Sequence, residues 1–362
     1  MLNIGVLIVG GGPAGTAMAL ALAARGLTAA VLERSLYESE RFGETLPPGA
    51  KPLLHRLGIW EAFQNDAHLP SPGIISSWGS EQPYENDFIF NPYGHGWHLD
   101  RTQFDRTLAA SAEQAGAMVI RSARAQSCLR TTDAGWVVRY EFEGKVREIT
   151  ATFLIDATGR SAWLARQQGA SRIVLDHLVG VIGFGECSED GDQRTILEAT
   201  PDGWWYSARL PNGKVVAAFM TDADLLPRGH DNLRRFWGER LRDAALTTAL
   251  WSNPDDVGEL RVTFSGTVRL DRIGGPGWLA VGDAAVAFDP LSSQGILKAM
   301  DSGLHAAAAV ADLLQGNRNA LASYSEWLEA EFAAYTKNYF HYYGQVSRWP
   351  DRIFWRRRSA AG

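Results

Sequence analysis

The stretch NIGVLIVGGGPAGTAMALALAARGLTAAVLE, residues 3–33, decides the fold. Residues 3–9 are a short apolar run, the pattern of a buried strand. Gly10 to Gly12 break that run. Pro13 suits the first turn of a helix, where no amide donor is needed, and the helix runs to about Gly26. Residues 28–32 make a second strand that ends at Glu33. Strand, helix and strand in this order form a βαβ unit and imply a parallel sheet. Gly10, Gly12 and Gly15 give G-x-G-x-x-G at the first turn. The first glycine allows the tight turn, the second lets backbone approach a pyrophosphate, and the third lets helix and strand pack closely. The phosphate charge then sits at the helix N-terminus, where free N–H groups favour it. Glu33 lies 18 residues past Gly15, close to the ~20 at which an acid binds ribose hydroxyls. Pro13, Ala14 and Arg34 adjoin these positions and are assigned to the same dinucleotide site.

Outward from that unit, a helix is expected near 50–58, and 59–97 reads as irregular, rich in Pro, Gly and aromatics. Phe104, Leu108 and Ala112 stand at helical spacing within 102–115. Strands are expected at 117–122 and 125–131, and 136–142 with 145–151 reads as a hairpin about Glu143-Gly144. A buried strand over 152–156 ends in DATGR. The pattern is antiparallel β from 178 to 220, helical over 231–250, and strand again over 260–269 and within 277–285. Helices start near Gly295 and fill 318–340. No internal repeat and no low-complexity linker separates these parts, so the domains are expected to interleave.

The chain has 362 residues, enough for two domains at a soft ~150 each. Apolar residues are 46% and charged residues 21%, which excludes overall disorder. The net charge of −6 gives no reason to expect a nucleic-acid partner. The last fifteen residues differ, with five Arg against one Asp. Cys128 and Cys187 make neither a disulfide framework nor a metal motif, and no His/Cys/Asp/Glu cluster suggests a metal. The opening MLNIGVLIVGGG has no basic n-region, so a cytoplasmic protein is expected. No stretch reaches the ~20 apolar residues of a membrane span.

Two later segments choose between dinucleotides. DATGR (156–160) places Gly159 after a strand, and VGDAAVAFDPLSSQGILKAM (281–300) places Asp283 after a strand and Gly295 at a helix start. This ordered set resembles the FAD-dependent monooxygenase superfamily that includes the hydroxybenzoate hydroxylases. The resemblance implies an α/β fold: a Rossmann-like FAD-binding domain interleaved with a β-sheet substrate domain, plus C-terminal helices. The expected FAD-binding segments are 1–75, 93–172 and 262–316. The substrate domain takes 76–92 and 173–261, and 317–362 is a C-terminal helical segment. FAD is implied as the cofactor, without a covalent link. Asp283 is implied to hold the ribityl chain or its phosphate-side oxygens. The Gly295 helix N-terminus, with Pro290, Gln294 and Ile296 beside it, is implied to face the flavin pyrimidine.

GETLPP (43–48), HLDRTQFDRTL (98–108), GWWYSARLP (203–211) and FDPLSSQGI (288–296) are similar to the flavin-dependent halogenase branch. The halogenating groups do not carry over. Tryptophan halogenases place a lysine well after the Gly-Glu loop, whereas here Lys51 follows too closely and the next is Lys145. Ser292 stands where those enzymes carry an acid. Trp204 and Trp205 are adjacent, so on a strand they face opposite sides and cannot both wall one cavity. FDPLSSQGI and the ending SRWPDRIFWRRR (347–358) resemble the flavoproteins that modify protein-bound Trp during cysteine tryptophylquinone biogenesis.

The expected function is therefore hydroxylation of an aromatic, indole-type substrate, including a Trp inside a precursor protein. A halogenase or small-aromatic hydroxylase, and an FAD-containing assembly protein without turnover, stay open. The expected electron donor is NAD(P)H or reduced flavin, and with no second nucleotide fingerprint the sequence does not choose between them. Glu44 and Thr45 are expected over the flavin, Arg101 beside flavin or pyrophosphate, and His95 and His98 as acid/base groups. Lys298 is read as a surface or flavin-ring contact. Trp204, Tyr206 and Phe219 are read first as packing. The tail with Trp349, Phe354 and Trp355 is either a helix covering the core or a docking surface.

Overall fold

The computed structural model describes residues 2–359; Met1 and residues 360–362, the ends of the expected outer segments, lie outside the described residues. Strand Leu2–Val9 pairs in parallel with Ala29–Leu32 on one side and Lys145–Asp156 on the other. Met118–Ile120 and Trp278–Ala280 extend this parallel sheet at its two ends. Helix Pro13–Ala23 joins the first two strands and is buried from Ala14 to Leu22, which is why its sequence is apolar on every face. It packs on helix Gly295–Leu314, and a Cβ on Gly303 would lie 2.4 Å from the Ala14 carbonyl oxygen. The hairpin about Glu143-Gly144 forms, with Trp136–Phe142 antiparallel to Lys145–Asp156.

A second, seven-stranded sheet runs in the order 261–264, 178–186, 214–222, 203–209, 195–200, 73–77, 84–87. Trp204 and Trp205 do face opposite sides of it. Trp204 packs with Trp78, Tyr343 and Trp355, and Trp205 with Phe219 and Trp237.

The structure departs from the sequence expectation in three places. Residues 59–97 carry helix Trp60–Asn65 and four short strands. Those strands have three to five residues, and Gly73–Ser77 pairs with residues 195–198. Their stability comes from distant partners, so no local period marks them. The expected strand 260–269 is two strands in two sheets, Arg261–Phe264 and Val268–Leu270, because the chain turns through buried Ser265 and Gly266. The expected helix 231–250 breaks at Asp243 and Ala244 into His230–Arg242 and Ala245–Thr248.

The basic tail forms a helix that covers the core, the first of its two expected roles. Phe354 and Trp355 are buried within the core that holds Trp78, Trp204 and Tyr343. Trp355 Nε1 donates to the Thr200 carbonyl at 2.9 Å. Arg358 donates to Asp222 at 2.7 Å with both side chains buried, and Arg357 reaches Asp222 and Asp224. Arg357 and Arg358 thus fasten helix Ile353–Ser359 to the second sheet.

Candidate active site

A cavity of about 650 Å³ is walled by the seven-stranded sheet and by the turns and helix starts that follow the parallel strands. At one end lie Gly12, Pro13 and Ala14 at the start of the first long helix, with Gly159 and Asp283 across from them. Pro290, Gly295 and Ile296 form the middle, and Thr45, Arg101, Phe42 and Tyr206 close the far side.

The glycine-rich turn fits a pyrophosphate. A Cβ on Gly10 would sit 2.2 Å from the Ala157 carbonyl oxygen, and one on Gly15 would sit 2.0 Å from that of Gly10. These two positions are filled by the protein itself. A Cβ on Gly12 meets nothing within 4 Å, so this backbone faces open cavity. Glu33 is buried at the end of its strand, and its carboxylate accepts from Gly11 N at 2.8 Å and from Ser35 N and Oγ. The acid therefore reaches the loop that would cradle the phosphates. Gly10, Gly15, Glu33, Arg34 and Gln294 themselves are not on the cavity wall.

Asp283 sits deep in the fold, yet 37% of its side chain is open to the cavity, with Arg160 Nε 3.6 Å away. Burial pushes its carboxyl upward, opposed by Arg160 and Arg101. Arg101 donates to the Phe42 and Gly43 carbonyls at 3.1 and 2.7 Å and pairs with buried Asp105. It thus fastens the Gly43–Thr45 loop to helix Arg101–Gln114.

Glu44 is buried behind that loop, off the cavity wall. One carboxylate oxygen accepts from Gly43 N at 2.9 Å, and the other has no hydrogen-bond partner among the described residues. Burial raises its pKa, partly offset by the neighbouring Tyr206 hydroxyl. Tyr206 is on the wall, and its hydroxyl is hydrogen-bonded to Thr45 Oγ1 at 2.5 Å. His98 is also buried away from the wall, with Nε2 2.9 Å from Thr195 Oγ1, and desolvation pushes its pKa down to about 4. His95 is exposed and its ring packs against Trp97. Neither imidazole reaches the cavity.

No lysine lines the cavity among the described residues. Lys298 pairs with Glu331 at 2.6 Å, and Lys51 lies over the Trp60 ring.

The family described as FAD binding domain matches residues 3–336. The chain belongs to that family. It is an FAD-dependent oxidoreductase. Over 98% of the chain it is 29% identical to LodB of Marinomonas mediterranea, named as an FAD-dependent oxidoreductase, and spans 96% of that protein. It is 26% identical over 95% of its length to a tryptophan 2-halogenase of Chondromyces crocatus and spans 66% of that enzyme. Among solved structures, the peptidyl tryptophan dihydroxylase QhpG superposes with a TM-score of 0.82 at 27% identity, over 98% of this chain and 78% of that one. The FAD-binding chain thus stands in a halogenase-like branch of the flavin monooxygenases. No helix among its described residues is long and apolar enough to cross a membrane.

Asp289, Tyr206 and Arg160 are wall residues that motif reading did not assign. Asp289 is fully buried, accepts from Leu291 N and from the Tyr343 hydroxyl at 2.8 Å, and has its pKa pushed up to about 6 by burial and by Asp176. The native protein therefore holds this proton more tightly than the unfolded chain. The associated stability is present below about pH 4 and is lost as pH rises through about 6, a change of about 3 kcal/mol. Asp289→Asn does not titrate, so it should gain on wild type by up to about 3 kcal/mol between pH 4 and 7. Denaturant midpoints of both proteins across that range measure it, and a pH-independent difference would show that Asp289 keeps an ordinary pKa.

Proposed function

We propose that this protein inserts oxygen into the indole ring of a tryptophan carried by a partner polypeptide. The observation that carries the reading is the cavity wall: aromatic and apolar groups beside the flavin cradle, with no lysine. Phe42 meets Tyr206 edge-to-face at 5.8 Å, and Ile182, Phe184 and Val262 complete that end. An indole fits such a surface through ring contacts and burial. The likeness to QhpG, a peptidyl tryptophan dihydroxylase, supports the same substrate class.

Bound FAD, reduced by NAD(P)H or by a separate reduced flavin, would supply two electrons to O₂, placing one oxygen in a ring C–H and releasing the other as water. The protein's own residues hold and shield this event. The first-turn N–H groups at Gly295 and Ile296 border the cavity and favour negative charge there. Phe42 and Tyr206 position the ring. Glu44, with its one unpartnered oxygen beside Tyr206, takes up a proton passed through the Tyr206–Thr45 hydroxyl pair. His95 and His98 take no part in that route. The 26% identity to a tryptophan 2-halogenase favours bromination or chlorination as the second reading.

The test supplies FAD, a flavin reductase, O₂ and bromide with a Trp-containing peptide and, separately, with free tryptophan. The expected product is Trp heavier by one or two oxygens, with no brominated species above a no-enzyme control. Enzyme-dependent bromination would overturn the reading in favour of the halogenase.

A further inference from the structure

Part of the cavity wall is an exposed strand edge. Arg261, Val262 and Thr263 are exposed, yet with Phe264 they also line the cavity. Strand Arg261–Phe264 is the last strand of the seven-stranded sheet. It pairs only with Leu178–Glu186, and among the described residues its backbone bonds no other backbone outside that ladder, the Thr263 carbonyl accepting only from the Ser265 hydroxyl at 3.4 Å. Such an edge offers unpaired N–H and C=O groups, and proteins usually blunt it with charge or proline.

Here the adjacent surface is apolar. Strand Arg172–Val174 is also the end of its sheet. Ile173, Val174 and Leu175 are three consecutive apolar residues, each more than 40% exposed, and Val262 is 50% exposed. Arg172 ties the two edges together, its guanidinium carbon lying 5.9 Å from the Phe264 ring centre, with Arg160 6.0 Å from the same ring.

The charge here is unbalanced. Among the described residues Arg166, Arg172 and Arg261 have no carboxylate within 4 Å, and the Arg261 side chain bonds only the Glu40 carbonyl. Burial and the charges of Arg166 and Arg160 all disfavour protonated Arg172. A local surplus of guanidinium on a chain of net −6 selects an acidic occupant.

We propose that an extended, acidic stretch of the substrate polypeptide adds as a further strand to the free edge of Arg261–Phe264. Its backbone bonds that edge, its acids meet Arg172 and Arg261, and its Trp turns into the cavity at the end lined by Phe264 and Phe184. Strand addition draws affinity from main-chain hydrogen bonds and specificity from alternate side chains. Because side chains alternate along a strand, one inward Trp leaves its neighbours facing outward. The proposal rests on the reading above that the substrate is a polypeptide.

The probe is a synthetic peptide with one Trp flanked by Asp and Glu, labelled for fluorescence polarisation and titrated against FAD-loaded protein. A counterpart carries Lys at the acidic positions, and a further series carries one N-methylated backbone nitrogen at a time. The acidic peptide should bind at least ~10-fold more tightly than the Lys peptide, about 1.4 kcal/mol. N-methylation should weaken binding by ~10-fold or more at alternate nitrogens only, since only every second residue bonds the edge. Arg172→Glu should reverse the charge preference, with its FAD content confirming that it folds. Equal binding of the two peptides, a uniform N-methyl response, or no binding of either would overturn the docking. If the peptide's Trp nonetheless gains oxygen, the polypeptide reading survives that failure. Turnover of free tryptophan with no peptide bound would remove both.

Discussion

Gly12→Val is expected to give a folded protein that holds no FAD. Gly12 has φ −77° and ψ −174°, an ordinary extended conformation for any residue. Valine therefore brings no backbone strain. A Cβ there meets no protein atom within 4 Å, so the expected effect is to fill the approach to the helix N-terminus that a pyrophosphate needs. Affinity for FAD should fall by at least ~100-fold, about 3 kcal/mol. Acid precipitation followed by flavin assay of the supernatant measures it, with circular dichroism to show that the fold remains. Gly15→Val is the contrast. Its Cβ would meet the Gly10 carbonyl oxygen at 2.0 Å, so that variant should lose the fold and the cofactor together. Full FAD occupancy in Gly12→Val would mean that the cofactor lies elsewhere.

Trp355→Ala should cost about 3–5 kcal/mol of stability, the usual range for truncating a buried tryptophan. Its indole is 1% exposed, donates to the Thr200 carbonyl, and lies 5.6 Å from the Trp78 ring and 5.0 Å from Phe354. The loss removes apolar burial, leaves a cavity and orphans a carbonyl. Arg356→Ala, in the same helix but exposed, should stay within about 0.5 kcal/mol of wild type. Denaturant melts of the two variants decide between clasp and docking surface. Near-wild-type stability of Trp355→Ala would mean that this helix does not close the core.

The difference between these two sites shows where sequence reading succeeds. The Gly12 cradle is local: strand, turn and helix lie within thirty residues, and each glycine answers a steric demand within that turn. Its periodicity, its proline at the first helical turn and its acid at Glu33 are all visible in one dimension. The same holds for the later GD and Gly295 segments, whose order along the chain implied FAD.

The tail could not be read that way. Arg and Trp side chains are equally at home on an interface and in a core, and the choice depends on Asp222 and Thr200, more than a hundred residues away. Glu44 shows the same limit. Its loop motif pointed to the flavin, but only the packing of Tyr206 and Thr45 puts the carboxylate behind the cavity wall. Tyr206 itself was hidden by its strand, because Trp204 and Tyr206 share a face and local pattern cannot say which one meets the cavity. By itself the sequence determined the βαβ unit, FAD as the cofactor and the absence of a lysine between 52 and 144, because each depends on neighbours along the chain or on residue identity alone. Only the tertiary structure decided what walls the cavity, where it opens and what the basic tail does, because those depend on which distant strands pair.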